Sequence, residues 1–267
     1  MISATSWVRH MLWASLESEL ACWRAAGIQP CFWWRDDDAV AAAGLLARLL
    51  SLAAEHRIPI ALGVIPAAAA PSLVKQFVAA AAEVSVLQHG VDHIDRADGG
   101  PRSEFSPMMP SGLLAAHLRD GRMRLEDLLG VAISVFVPPW NTVTANLVAA
   151  IGAAGYQGLS AYGSGARLVH GVCRIDCHLD ILSWQQGPRF KGDIALLRQL
   201  VREMRRRRKS GRLLDSIGLL THHRDMVEEE GWIFLDELFD RLSADAVWIQ
   251  PWPTIASRHE LTSRPAR

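Results

Sequence analysis

Short apolar segments alternate along the chain with longer segments in which apolar residues recur at helical spacing. The apolar segments do not alternate polar and apolar residues, as a strand with one exposed face would. They are therefore typical of parallel strands that are covered by helices. The predicted strands are 30–35, 58–65, 84–88, 133–137, 156–160, 172–177, 217–221 and 246–249. The predicted helices are 6–26, 41–56, 71–82, 111–129, 144–154, 193–209 and 234–242.

The number of these units indicates the fold class. Strand and helix alternate about seven times over 267 residues, and single barrels of parallel strands commonly have this length. We therefore expect an α/β barrel rather than an open sheet. Residues 1–29 are expected to form an amphipathic helix packed on the domain, residues 30–255 the barrel, and residues 256–267 a C-terminal tail.

The N-terminal segment resembles neither a secretory signal nor a membrane span. Its apolar residues recur at helical spacing, and charged residues such as Arg9, Glu17 and Arg24 interrupt it. No other stretch approaches the roughly 20 apolar residues that a membrane-spanning helix needs. We therefore expect a cytoplasmic protein without a membrane span.

Charge and cysteine content narrow the function classes further. The chain has 28 basic and 28 acidic residues, so its formal net charge is zero. No overall field attracts it to nucleic acid, and we expect no nucleic-acid partner. The four cysteines include no Cys-x-x-Cys pair, which favours free thiols over a structural zinc site.

Carboxylate and imidazole side chains lie where several predicted strands end. Because the carboxyl ends of parallel strands meet at one rim, where such folds carry their active sites, we expect these side chains to lie close together. The first strand is followed by Asp36, Asp37 and Asp38, the third by His89 and His93, and the seventh by His222 and His223.

The histidines after the third strand point to a metal. His89 and His93 are four residues apart, so they would face the same side of a helical turn and could bind one ion. One Asp with two His is a three-ligand set that leaves positions open for water and substrate. The combination is a stronger signal than the histidine spacing alone.

The pattern leaves two choices open. Adjacent strand residues point in opposite directions, so at most two of the three Asp side chains can serve one site. The working pair is either Asp36–Asp37 or Asp37–Asp38, and Asp38 would also suit the cap of the following helix. A histidine at this rim suits acid or base chemistry near neutral pH, and both His222 and His223 are candidates.

These residues, in this order, resemble the motifs of the polysaccharide deacetylase family, also called carbohydrate esterase family 4 (CE4) or the NodB-homology family. Its Asp-Asp motif is matched by Asp37 and Asp38, and its His-x-x-x-His motif by His89 and His93. Its Leu-x-His motif fits residues 220–222, which end in His222.

Two further motifs of the family are matched only in part. In residues 137–140, Val137 stands where the family has the Arg that orients the base. In residues 180–184, Ser183 stands where it has an Asp that helps to set the charge of the catalytic His. Arg35 is a candidate for the missing cation, and Asp180 or Asp225 for the missing carboxylate.

The resemblance implies a distorted (β/α)7-type barrel with parallel strands, preceded by the N-terminal helix. It also implies a hydrolase that removes an acetyl group, as an amide or an ester, from a carbohydrate or glycan precursor. The implied cofactor is a divalent metal, zinc in the first instance, and the implied partner is the acetylated carbohydrate. The alternatives are a catalytically degenerate sugar-binding barrel and a metal-dependent hydrolase of another C–N amide bond.

Site roles follow residue by residue from the matched motifs. The implied catalytic base is Asp37, and the implied acid is His222. The implied metal ligands are Asp38, His89 and His93. The expected substrate-binding residues are Arg35, Pro139, Trp140, Trp184 and His223.

Overall fold

A computed structural model describes residues 4–164, 168–169 and 171–250. The helices are α1 (Ala4–Ala25), α2 (Gly44–Glu55), α3 (Ser72–Ala79), α4 (Ser111–Leu129), α5 (Ala145–Ala153), α6 (Asp193–Lys209) and α7 (Glu229–Leu242). The first six strands are β1 (Cys31–Ala39), β2 (Ile60–Val64), β3 (Val84–His89), β4 (Val135–Val137), β5 (Gly158–Leu159) and β6 (Leu168–Val169). The others are β7 (Val172–Arg174), β8 (Cys177–Asp180), β9 (Leu182–Ser183), β10 (Arg189–Phe190), β11 (Ile217–Thr221) and β12 (Val247–Trp248). The predicted tail at 256–267 lies outside the described residues.

The main sheet is a curled, almost entirely parallel sheet. Its strand order is β6-β7-β5-β4-β3-β2-β1-β11-β8, with β12 also paired to β1, and only β6 and β7 run antiparallel. A bridge between Tyr162 and Cys177 joins the chain that follows β5 to the start of β8. This bridge links the two sides of the curled sheet, and the result is the distorted (β/α) barrel that the sequence predicts.

Strand β1 lies at the centre of the fold, paired with β2, β11 and β12. Its residues alternate between two apolar layers, because successive strand side chains point to opposite faces. Trp33 packs inside the barrel with residues such as Ala61 and Leu87. Phe32 and Trp34 pack on the outer side, in the larger core beneath the helices.

Helix α1 packs on the outside of the barrel against α6. Its buried apolar stripe contains Trp13, Leu16, Leu20 and Trp23. The buried carboxylate of Glu19 accepts hydrogen bonds from two arginines of α6, which are Arg205 and Arg208. The basic run at the end of α6 therefore contributes to helix packing. Within the described ranges, no helix is both long and apolar enough to cross a bilayer.

The boundaries differ from the prediction mainly where polar residues are buried. Strand β1 continues to Ala39, so the Asp triplet belongs to the strand and does not follow it. A register shift against β2 occurs between Asp36 and Ala39. The predicted strand 172–177 is two strands, β7 and β8, and the hairpin of β9 and β10 is additional. Asp disfavours strands by propensity, but the buried partners of the three Asp side chains outweigh that preference.

Gly218 of β11 offers a test of how tightly the barrel is packed. A Cβ there would lie 2.5 Å from both the Asp176 carbonyl oxygen and the Trp33 Nε1. We expect Gly218→Ala to lower the free energy of unfolding by about 1–3 kcal/mol, because the neighbouring backbone must move. The matched control is Gly112→Ala in α4, where a Cβ meets open space and helix propensity gains about 0.5–1 kcal/mol. Thermal unfolding compares the two, and equal melting temperatures would contradict the proposed packing.

Candidate metal centre and active site

A cavity of about 890 Å³ opens at the carboxyl ends of β1, β3, β8 and β11. Most of the predicted site residues line this cavity. The predicted site residues that line it are Asp37, Asp38, His89, His93, Trp140, Trp184 and His222. The predicted residues Arg35, Pro139 and His223 do not line it, and their positions are described below.

The predicted metal ligands converge at one side of the cavity. Asp38, His89 and His93 each offer a ligand atom, and these atoms all lie within 4.8 Å of one another. The Oδ1 atom of Asp38 is 3.3 Å from the Nε2 atom of each histidine. The Nδ1 atom of His89 lies 3.2 Å from the carbonyl oxygen of Val137. Because a carbonyl can only accept, Nδ1 carries a proton and the ring turns Nε2 towards Asp38 and His93, where Nε2 could bind an ion.

A divalent cation fits this cluster. Asp38 Oδ1 is buried and makes no hydrogen bond, although it faces two imidazole nitrogens. Burial alone would raise the pKa of Asp38, but the contact with His89 and the nearby imidazoles of His222 and His93 hold it well below its ordinary value. The carboxylate is therefore ionised near neutral pH. An anionic oxygen with two imidazole nitrogens is a donor set that suits zinc.

The two histidines are brought together differently from the prediction. His89 is the last residue of β3, and the chain then turns through left-handed backbone at Gly90 (φ 62°) and His93 (φ 59°). The expected helical turn is absent from residues 89–93. A Cβ at Gly90 would lie 2.0 Å from a carboxylate oxygen of Glu104, so only glycine leaves room there.

Glu104 holds this turn in place, and no motif or residue spacing singles it out in the sequence. Its Oε1 atom accepts hydrogen bonds from the backbone N–H groups of Val91 (2.8 Å) and Asp92 (2.9 Å). Its Oε2 atom is buried without a hydrogen-bond partner. Burial, with the nearby charge of Asp92, raises the pKa of Glu104 to about 7. The side chain lies in a polar loop, where a single acid has no pattern to distinguish it.

Asp37 is buried at the base of the cavity and paired with Arg35. The guanidinium of Arg35 donates to Asp37 Oδ2 (2.9 Å), Asn141 Oδ1 (2.7 Å) and Ser160 Oγ (2.7 Å). Arg35 is fully buried, so it cannot contact substrate as we expected, and it instead supplies a cation to Asp37. Asp37 Oδ1 has no hydrogen-bond partner. A Cβ at Gly63 would lie 2.7 Å from that atom, so glycine leaves room for the carboxylate.

Asp36 and His223 form a second buried pair behind the cavity. His223 Nδ1 contacts Asp36 Oδ1, while Asp36 Oδ2 accepts from Thr221 Oγ1 (2.7 Å) and from the His223 N–H (2.9 Å). Burial would lower the pKa of His223, but Asp36 raises it overall. The expectation that His223 binds substrate is therefore wrong in this structure, because its ring is buried against β1. The geometry also favours Asp37–Asp38 over Asp36–Asp37 as the pair that faces the cavity.

His222 faces the cavity beside Asp37. Its Nε2 atom lies 3.9 Å from Asp37 Oδ2, and the Trp184 ring packs edge-on against the imidazole at 4.8 Å. Its Nδ1 atom is buried and has no hydrogen-bond partner, so neither candidate carboxylate holds it there. Asp180 instead accepts from the Trp184 indole N–H (2.8 Å) and fixes the ring that contacts His222.

Trp140 lines the cavity beside the Asp38–His89–His93 cluster. Its ring lies 4.6 Å from that of His93, and its backbone has a φ of 53°. Pro139, the residue before it, is buried, and a Cβ at Gly90 would lie 2.5 Å from the Pro139 ring. The expectation that Pro139 contacts substrate is thus not met, because its ring packs against the turn that carries His93.

The buried carboxyl of Glu104 predicts a particular pH dependence of stability. The folded state retains the proton up to about pH 7, whereas the unfolded state releases it near the ordinary value of 4.5. The unfolding free energy should therefore fall as pH rises from 4.5 to 7, by about 2–3 kcal/mol relative to Glu104→Gln, which stays neutral. Urea unfolding across this range, in a chelator, measures the difference. The exposed Glu55→Gln is the matched control. Parallel pH profiles for wild type and Glu104→Gln would show that the carboxyl is not perturbed.

Comparisons with protein-family models and with curated protein sequences each returned no match. Solved structures are similar over most of the chain. A deacetylase designated T48, solved with substrate, has a TM-score of 0.53 and 16% identity, over 86% of this chain and 92% of that one. The polysaccharide deacetylase Bc1974 from Bacillus cereus has a TM-score of 0.51 and 13% identity, over 84% and 93%. A CE4 family pseudoenzyme from Bacillus anthracis has a TM-score of 0.52 and 14% identity, over 82% and 63%. The chain therefore has the barrel fold found in polysaccharide deacetylases, as its motifs imply.

Proposed function

We propose that the protein is a divergent member of the polysaccharide deacetylase family that hydrolyses an acetyl group from a carbohydrate or glycan precursor. One observation carries this proposal. Asp37 and His222 lie beside an Asp38–His89–His93 cluster on the wall of one cavity, at the rim where barrels of this kind carry their active sites. The likeness of the fold to solved deacetylases supports the same reaction class.

The metal would be held by Asp38, His89 and His93, with zinc as the ion that best suits their donor atoms. The chemistry that such an ion supplies when bound is polarisation of the acyl carbonyl and acidification of water. The Val137 carbonyl fixes the orientation of the His89 ring, and the Glu104 carboxyl holds the turn that carries His93. Both supports fix the cluster before substrate arrives.

Asp37 would act as the base. Its Oδ2 atom is engaged by Arg35, which leaves Oδ1 without a partner and able to accept a proton from the attacking water. Arg35 also supplies the opposite charge that a buried carboxylate needs, at 2.9 Å from Asp37 Oδ2. In this role Arg35 of β1 replaces the arginine that the family carries where Val137 stands here.

His222 would act as the acid. The water oxygen bonds to the acyl carbon as Asp37 takes its proton, and the C–N or C–O bond then breaks as His222 Nε2 gives a proton to the leaving amine or alkoxide. The proton taken up at Asp37 Oδ1 must return to His222 after acetate leaves. The two side chains are close enough for this return, since the other carboxylate oxygen, Oδ2, lies 3.9 Å from His222 Nε2. Trp140 and Trp184 would form the walls that hold the acylated sugar.

One observation favours the degenerate alternative. His222 Nδ1 has no hydrogen-bond partner, so nothing among the described residues fixes its tautomer as an acid–base histidine usually requires. A similar fold belongs to a CE4 family pseudoenzyme. In that case the cavity would bind an acetylated sugar without hydrolysing it.

The decisive substitution is Asp37→Asn, which keeps the shape of the side chain and removes its basicity. We expect the zinc-loaded protein to release acetate from acetylated amino sugars or acetylated glycans, and we expect kcat to fall by about 100-fold or more in the variant. Enzymatic detection of free acetate provides the measurement.

Metal content, which should stay at the wild-type level, shows that the Asp38 cluster survives the substitution. The exposed Asp127→Asn of α4 is the matched control and should keep full activity. Equal acetate release by wild type and Asp37→Asn would contradict the assignment of the base. Sugar binding without any acetate release would favour the degenerate barrel, and turnover restricted to other amides would favour the second alternative.

A further inference from the structure

The guanidinium of Arg102 lies on the cavity wall, outside the proposed catalytic set. Its Cζ atom sits over the Trp140 ring, 5.3 Å from the ring centre. Trp140 in turn lies 4.6 Å from the ring of His93. His93, Trp140 and Arg102 therefore form a stack that leads from the metal cluster towards the cavity mouth.

The position of Arg102 is fixed at both its backbone and its side chain. Thr142 Oγ1, just after Trp140, donates to the Arg102 carbonyl oxygen at 2.7 Å. The guanidinium is held against the indole face, an arrangement that stabilises a cation and leaves its N–H groups free. A cation that is oriented in advance loses less conformational entropy when it binds an anion.

No acidic side chain in the described part of the chain pairs with Arg102. Arg96, on the same loop, differs in this respect, because it forms an ion pair with Asp92 at 2.6 Å. Three of the acids that line the cavity have partners other than Arg102. Asp37 binds Arg35, Asp38 belongs to the metal cluster, and Asp180 binds the Trp184 indole. Asp225 lies beyond His222, on the β11 side of the cavity.

Lys191 supplies a second cation on the wall that carries Trp184. Its Nζ atom donates to the backbone carbonyl oxygen of Asp180 at 2.7 Å, which leaves two N–H groups for a ligand. The cavity wall therefore carries two tryptophans and two cations. Arg102 lies over Trp140, and Lys191 lies on the side of Trp184.

We propose that the substrate carries an anionic group, a phosphate or a carboxylate, which Arg102 binds about one sugar unit away from the acyl group. The two spacings of the stack, 4.6 Å and 5.3 Å, place the guanidinium within 10 Å of the His93 ring. This upper limit is short enough for one acylated sugar to place its acyl group at the Asp38–His89–His93 cluster and an anionic substituent at Arg102. A planar guanidinium suits either anion, because each can accept two parallel N–H bonds. The inference rests on the proposed function for the acyl end of the ligand.

Equilibrium binding tests it without requiring turnover. Calorimetry on zinc-loaded protein with the Asp37→Asn substitution, which keeps the acyl group intact, compares three ligands. They are neutral N-acetylglucosamine, N-acetylglucosamine 1-phosphate and N-acetylmuramic acid, which carries a carboxylate. We expect at least one anionic ligand to bind about tenfold more tightly than the neutral sugar, with a preference that weakens in high salt.

Adding Arg102→Gln should reduce that preference to about twofold, and Arg102→Lys should retain part of it. The exposed Arg202→Gln of α6 is the matched control and should leave the preference unchanged. The stronger of the two anionic ligands identifies phosphate or carboxylate as the source. Equal affinity for all three ligands would overturn the proposal, and so would an anion preference that survives Arg102→Gln, since the anion would then bind the metal cluster. Failure of acetate release with an intact, Arg102-dependent preference would instead reject only the proposed hydrolysis.

Discussion

Three adjacent carboxylates at the end of β1 must each be given a different partner, and much of the fold around the cavity follows from that requirement. Asp36 is paired with His223, which follows β11, Asp37 with Arg35, and Asp38 with His89 and His93. A buried carboxylate without a partner would cost several kcal/mol. The strand tolerates three because its alternation sends Asp36 to one side and Asp37 to the other, while a register shift and left-handed backbone at Asp38 (φ 71°) redirect the third.

Within this short segment, one acid has a structural role and the next two face the cavity. Asp36 binds both Thr221 and His223, and it thereby holds His222, the residue between them, where it faces the cavity. Arg35 crosses the barrel interior to Ser160 and Asn141, so the same side chain anchors Asp37 and links the ends of three strands. A single segment can thus carry the proposed base, a proposed metal ligand and a buried structural pair, because each acid has a different compensating partner.

The sequence predicted the parts of this design that depend on order along the chain. The alternation of apolar strands and helices predicted the barrel, and residues at strand ends predicted that Asp38, His89 and His93 meet. It could not predict contacts that depend on how the barrel closes. Arg35 and His223 were expected to contact substrate, but the depth of each side chain depends on strand register. Glu104 acts through backbone N–H groups of a turn, and a turn of this kind has no side-chain pattern.

The central claim is that Asp38, His89 and His93 bind a divalent ion, and metal content tests it most directly. Protein incubated with zinc, desalted and analysed by elemental mass spectrometry should contain about one equivalent. His93→Ala, which removes one ligand and opens the cluster, should contain less than about a tenth of that, while the exposed His117→Ala of α4 should match wild type. An absence of zinc in all three proteins, or one equivalent retained in His93→Ala, would contradict the account.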